Sequence, residues 1–99
     1  CKIIIDIQYM WMWGIMNKYL ITVIVPVIDY TFDVEIPNNR KVGTIKKILL
    51  SELNSKFNSV YNKGFNDIRM IDRDNGTEYN NNLYIKDSKI INGSKLILI

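Results

Sequence analysis

Lys18–Ile36 reads KYLITVIVPVIDYTFDVEI. Its second half, Tyr30–Ile36, alternates without a break. Tyr30, Phe32, Val34 and Ile36 are apolar, and Thr31, Asp33 and Glu35 between them are polar. Successive side chains of a strand point to opposite faces, so this pattern describes a strand with one buried and one wet face. The first half, Lys18–Val27, is rich in β-branched residues, which suit a pleated surface. It is apolar on both faces. Tyr19, Ile21, Val23 and Val25 are assigned inward, because Lys18 and Thr22 then face out. Pro26 cannot donate a ladder hydrogen bond and should close the strand. Only Ile28-Asp29 separates the halves, so an antiparallel hairpin is the expected pairing.

Pro37-Asn38-Asn39 ends the second strand. From about Thr44 to Phe57 the period changes. Ile45, Ile48, Leu49, Leu53 and Phe57 follow helical spacing, and Leu50 widens their stripe. Lys46, Lys47, Glu52, Asn54 and Lys56 are expected on the other side, with Thr44 capping the first turn through its hydroxyl. The next segment, with Asn62 and Gly64, reads as a loop pinned to the core by Val60, Tyr61 or Phe65. Asp67–Asp72 (DIRMID) is a third strand, Asn75-Gly76 a tight turn, and Thr77–Tyr79 a short return. Leu83 to Ile91 is a turn or short helix that lays Leu83 and Ile90 on the core. Asn92-Gly93 turns the chain into a last strand, Lys95–Ile99.

A hairpin, a helix and a second hairpin-like group make an α+β fold. Its simplest form is a mixed sheet of four to five strands packed on one helix, with the first and last strands adjacent at the centre. Ninety-nine residues make one such domain. Residues 16–99 carry all of it.

The first fifteen residues, CKIIIDIQYMWMWGI, fit no element that follows. Met16 opens a sensible start, and the codons for Trp13-Gly14 would supply a guanine run like a ribosome-binding site. Residues 1–15 are therefore expected to be a non-native or disordered extension. An extra strand is the alternative, since Ile3, Ile5 and Ile7 alternate with Ile4, Asp6 and Gln8. A membrane span over Met10–Ile28 is disfavoured by Asn17 and Lys18 in its middle and by Pro26.

Composition excludes most chemistry. The chain has no histidine, hence no side chain suited to proton transfer near neutral pH. Its one cysteine, Cys1, cannot form an internal disulfide, a zinc site or an iron–sulfur site. Nothing implies an oxidising compartment, and a cytoplasmic protein is expected. Gly43, Gly64, Gly76 and Gly93 are isolated, so no phosphate loop is present. No nucleophile–base pair can be drawn. The expectation is a protein that is not an enzyme, with no catalytic residues, metal or cofactor. The net charge of +3 does not argue for nucleic acid. Arg40, Lys41, Lys46 and Lys47 form the densest basic cluster, either a solvated surface or a docking patch for an acidic surface or phosphate. No aromatic residue interleaves with them in sequence.

The strand and helix order is that of the β-grasp. The stretch Tyr84–Ile99 resembles the end of ubiquitin-like domains, with an Asp in a turn (Asp87), an Ile three residues on (Ile90), a polar turn and a Leu-x-Leu strand. Thr44-Ile45 opening the helix is similar too. Within that superfamily the chain looks most like the YukD/EsaB group, the small ubiquitin-like proteins encoded with type VII (WXG100) secretion systems of Gram-positive bacteria. Phe32-Asp33-Val34-Glu35-Ile36, Ile68-Arg69-Met70-Ile71 and Ile90–Leu96 carry the likeness, which covers about Met16 to Ile99. The resemblance implies a non-enzymatic accessory protein that docks on a cytoplasmic domain of a membrane component or ATPase of the machinery. A ubiquitin-like modifier or sulfur carrier is the alternative. It would need a flexible Gly-Gly tail, and this sequence ends at Ile99 within the last strand.

What remains for function is surface. If Ile68 and Met70 point inward, Arg69 and Ile71 point out. If Leu96 and Leu98 are inward, Ile97 and Ile99 are outward. In β-grasp sheets these strands are neighbours. Ile71, Ile97 and Ile99 would then form an exposed apolar patch edged by Arg69 and Lys95, the expected protein-binding site.

Overall fold

The computed structural model describes Lys2–Ile4, residues 18–57 and residues 63–99. Five strands and one helix follow in the order β1 (Lys2–Ile4), β2 (Lys18–Val25), β3 (Tyr30–Pro37), α1 (Val42–Lys56), β4 (Met70–Asp72) and β5 (Lys95–Leu98). The strands form one mixed sheet in the order β1-β3-β2-β5-β4. β2 and β3 are the expected antiparallel hairpin, in register from Lys18↔Pro37 to Val25↔Tyr30. A single 3₁₀ turn, Pro26–Ile28, joins them, and Asp29 follows in the left-handed region at φ 51°. β5 lies parallel to β2, and β4 pairs antiparallel with β5, so β2 and β5 are central as expected.

The expected extension at residues 1–15 falls mostly outside the described residues. Within it, Lys2–Ile4 pairs in parallel with Asp33–Glu35 of β3. Val60 and Tyr61, expected to pin the loop after the helix, also lie outside the described residues.

Alternation builds one layer of the core. Ile21, Val23 and Val25 of β2, Phe32, Val34 and Ile36 of β3, Met70 of β4, and Leu96 and Leu98 of β5 are buried on a single sheet face. The helix supplies the other layer through Val42, Ile45, Leu49, Leu50 and Leu53, all buried, with Ile48 and Phe57 packed at its margin. Full burial of each such side chain contributes roughly 1.5–3 kcal/mol. At the far end of the helix, the Tyr30 ring meets the Phe57 ring edge-on at 4.9 Å, and Lys56 Nζ donates to the Tyr30 hydroxyl at 3.0 Å.

The helix differs from expectation at two residues. It begins at Val42, and Thr44 does not cap it, because no side chain caps this end. Backbone carbonyls of a later segment do so instead. Val42 N–H donates to Leu83 O at 2.8 Å and Gly43 N–H to Asn81 O at 2.9 Å. These bonds satisfy donors that every helix start leaves open. Lys46, expected on the wet side, is buried at 5% exposure. Its Nζ donates to Ile68 O at 2.8 Å. The aliphatic stem packs on apolar neighbours while the charged end finds a carbonyl, which is why the position tolerates lysine.

The later segments are less regular than expected. The third strand shrinks to Met70–Asp72, because Phe65–Asp67 winds into a 3₁₀ turn. The return after Gly76 keeps only one bridge, Ile71↔Glu78. Gly76 and Gly93 adopt φ 73° and 93°, a region in which glycine has no steric cost. Between Leu83 and Ile91 a single 3₁₀ turn, Ile85–Asp87, places Ile85 and Ile90 in the core, with Leu83 half-buried beside them.

Candidate docking face

The face of the sheet away from the helix is built by the residues that alternate with the core. Register decides which of them touch. Ile71 of β4 is directly opposite Ile97 of β5, and Ile97 is level with Ile24 of β2. Paired residues project to the same side of a sheet, so Ile71, Ile97 and Ile24 form a row across three strands. All three are half-buried. Leu20, two positions before Thr22 on β2, is 38% exposed, and Ile99 at the end of the chain is 48% exposed. Ile99 N–H donates to Arg69 O at 3.0 Å and keeps the chain end alongside β4.

Polar groups rim this row. Lys95 is level with Thr22, whose hydroxyl donates to Asp33 Oδ1 at 2.8 Å. Arg69 projects from the same side as Ile71, and its Nη2 meets Glu78 Oε1 at 2.9 Å. That hydrogen bond holds the Glu78 carboxyl below its usual range and raises Arg69 further. Both side chains are more than half exposed, so the pair orders the rim and adds little stability.

The fold thus brings together Arg69, Ile71, Lys95, Ile97 and Ile99 on one side of the sheet. Three further residues share this side, and the sequence reading does not place them there. Leu20 and Ile24 lie on the face of β2 that was read only through Lys18 and Thr22, although the apolar character of both faces was visible. Glu78 sits in the short return, and nothing in its spacing pointed to Arg69.

The basic cluster is split between core and surface. Lys46 turns into the core, while Lys41 and Lys47 remain exposed at the helix start. Aromatic rings absent from the local sequence reach them through the fold. Phe65 lies 4.9 Å from Lys46 Nζ and 5.2 Å from Lys47 Nζ, and Tyr84 lies 5.8 Å from Lys41 Nζ. Among the described residues no group of three or more acidic or cysteine side chains is placed to hold a metal ion. No helix among them is long and apolar enough to cross a membrane.

A hairpin, a helix laid over it, and a last strand returning parallel to the first recur in solved structures. The ubiquitin-like domain of an Arabidopsis thaliana protein superposes with a TM-score of 0.62, covering 87% of this chain and 80% of that one at 18% identity. The chain has the ubiquitin-like β-grasp fold. Ubiquitin from Caldiarchaeum subterraneum superposes equally well, with a TM-score of 0.62 over 84% of this chain and 92% of that one, at 14% identity. A chain of the MycP5-free ESX-5 inner membrane complex matches 83% of this chain with a TM-score of 0.64 at 13% identity. The match occupies 20% of that longer chain. At these identities the likeness is one of fold. No protein-family model and no curated protein matches the sequence. Among the described residues, the row Ile71–Ile97–Ile24 lies on the partly exposed face of the sheet, and the helix covers the opposite one.

Proposed function

We propose that this chain is a non-enzymatic binding module of a type VII secretion system, acting in the cytoplasm. It docks through the open sheet face onto a cytoplasmic domain of a membrane component or ATPase of that machinery. The observation that carries this reading is the apolar row Ile71–Ile97–Ile24, continued by Leu20 and Ile99 and rimmed by Arg69, Glu78 and Lys95. A central apolar strip with a charged rim is the usual anatomy of a protein interface. Two further points support it. The motifs of β3, β4 and the last turn resemble the YukD/EsaB group. A domain of the same fold also forms part of a chain in an inner membrane complex.

The test is direct binding between this protein and purified cytoplasmic domains of the secretion ATPase and membrane components encoded beside its gene. Wild type is expected to bind one of them. Ile71→Ser with Ile97→Ser is expected to lose that binding while circular dichroism shows the fold intact. If wild type binds none of them, or the double variant binds as well as wild type, the reading is wrong.

A further inference from the structure

A cleft of about 350 Å³ opens beside the first turn of α1. Lys41, Thr44 and Lys47 line it from the helix start, and Phe65, Asn81 and Asn82 line it from the later segments. No residue of the apolar row Ile71–Ile97–Ile24 lines it. A neighbouring cleft that shares Phe65, Asn81 and Asn82 runs on to Arg69 and Glu78 at the rim of the docking face.

Its charge is one-sided. Lys41 and Lys47 are both exposed, and among the described residues no carboxylate lines the cleft. The ion pairs Arg69–Glu78 and Arg73–Asp74 do not engage these lysines. Each ammonium group is laid near a ring: Lys47 over Phe65 and Lys41 over Tyr84. The negative face of a ring attracts a cation and limits its wandering. Side chains held in advance lose less freedom when a ligand arrives.

The helix terminus itself is not the source of attraction. Its first N–H groups already donate to Leu83 O and Asn81 O. What the cleft presents is two cations, the Thr44 hydroxyl, two asparagine amides and the half-buried Phe65 ring. Arginine forks and open backbone N–H groups, which favour phosphate, are missing from the lining. Carboxylates spaced along a peptide, with apolar residues between them to meet the ring, match it better. We propose that this cleft binds an acidic segment of a protein partner, with Lys41 and Lys47 pairing its carboxylates.

The probe is a fluorescein-labelled peptide of alternating Glu and Leu, titrated by fluorescence anisotropy against the full chain. Saturable binding is expected, weakening as salt is added. Lys41→Gln with Lys47→Gln should weaken it by about tenfold, the scale of losing charge pairs at an interface. Lys86→Gln with Lys89→Gln, exposed lysines outside the cleft, should leave it unchanged. A charge reversal, Lys41→Glu with Lys47→Glu, should switch preference to the matching Lys-Leu peptide, with the thermal midpoint of each variant confirming that it is folded. Absence of binding, equal loss in the Gln pairs, failure of the reversal to switch preference, or tighter binding to anionic vesicles or a single-stranded oligonucleotide than to the peptide would overturn the proposal.

Discussion

Asp72 illustrates how much one side chain can organise. It is 4% exposed, and each carboxylate oxygen has its own task. Oδ1 accepts from Asp74 N–H at 2.9 Å and Asn75 N–H at 3.3 Å, closing the turn. Oδ2 accepts from the Tyr79 hydroxyl at 3.0 Å, tying the return to β4. Asp72→Ala strands all three donors and should cost about 2–3 kcal/mol in urea unfolding, against about 1 kcal/mol for Tyr79→Phe. Burial first, and the bond to Asp72 second, push the Tyr79 phenol up to about 12 from an ordinary 10.0. The unfolded chain releases that proton near pH 10 while the folded chain holds it. The contribution to stability is therefore full below pH 10 and is lost as pH rises toward 12. Stability measured across that window should fall less steeply in Tyr79→Phe than in wild type. Lys46 is a second case. Desolvation lowers its pKa, partly opposed by Glu78. Lys46→Met keeps the packed stem but leaves Ile68 O without its donor, an expected loss of about 1 kcal/mol in urea unfolding. Lys46→Ala should cost more, because it also empties the space under Phe65.

At the scale of elements, the helix start is held by a clasp that periodicity cannot show. Residues 38–43 and 81–86 exchange backbone hydrogen bonds: besides the two caps, Ile85 N–H donates to Arg40 O and Lys86 N–H to Asn38 O, both at 2.9 Å. Gly43 is required by this closeness. A Cβ there would lie 3.0 Å from Asn81 O and 3.1 Å from Asn81 Cβ. Gly43→Ala would ordinarily gain up to about 1 kcal/mol in helix propensity. Here the clasp must open to admit the methyl group, so the change should instead destabilise by about 1 kcal/mol, read from the urea midpoint. Thr44 was the residue with cap chemistry in the sequence, yet the helix began two residues earlier because carbonyls from a distant segment were available. β4 shortened for a related reason: residues 65–67 are spent closing a 3₁₀ turn against the helix rather than extending the ladder.

At the scale of the whole molecule, the sheet has one face sealed by α1 and one face that the described residues leave partly exposed. The two faces should respond unequally to the same substitution. Ile71→Ser and Ile97→Ser, on the open face, should each change stability by less than about 1 kcal/mol, since these side chains are only half-buried. Leu98→Ser on the sealed face, or Leu49→Ser in the helix packed against it, should cost about 3 kcal/mol or more by burying a hydroxyl and leaving a void. Urea unfolding of the four single variants checks this. An equal cost on both faces would mean that the open face is core.

Short-range physics was legible in the residues alone. Alternation from Tyr30 to Ile36 and the helical stripe from Ile45 to Leu53 each report burial at a spacing set by local backbone geometry, and glycines at 76 and 93 report turns. From these the hairpin, the helix and the fold class followed. The partners across the fold were decided only when the chain closed. Backbone carbonyls carry no residue label, so the capping of Val42 and Gly43 by Leu83 and Asn81, and the hold of Ile68 on Lys46, left no mark in the sequence. The alignment of Ile24 with Ile97 and Ile71, and the meeting of Lys47 with Phe65, likewise depend on strand register and segment packing, which are set by the sum of many contacts and not by any one stretch of residues.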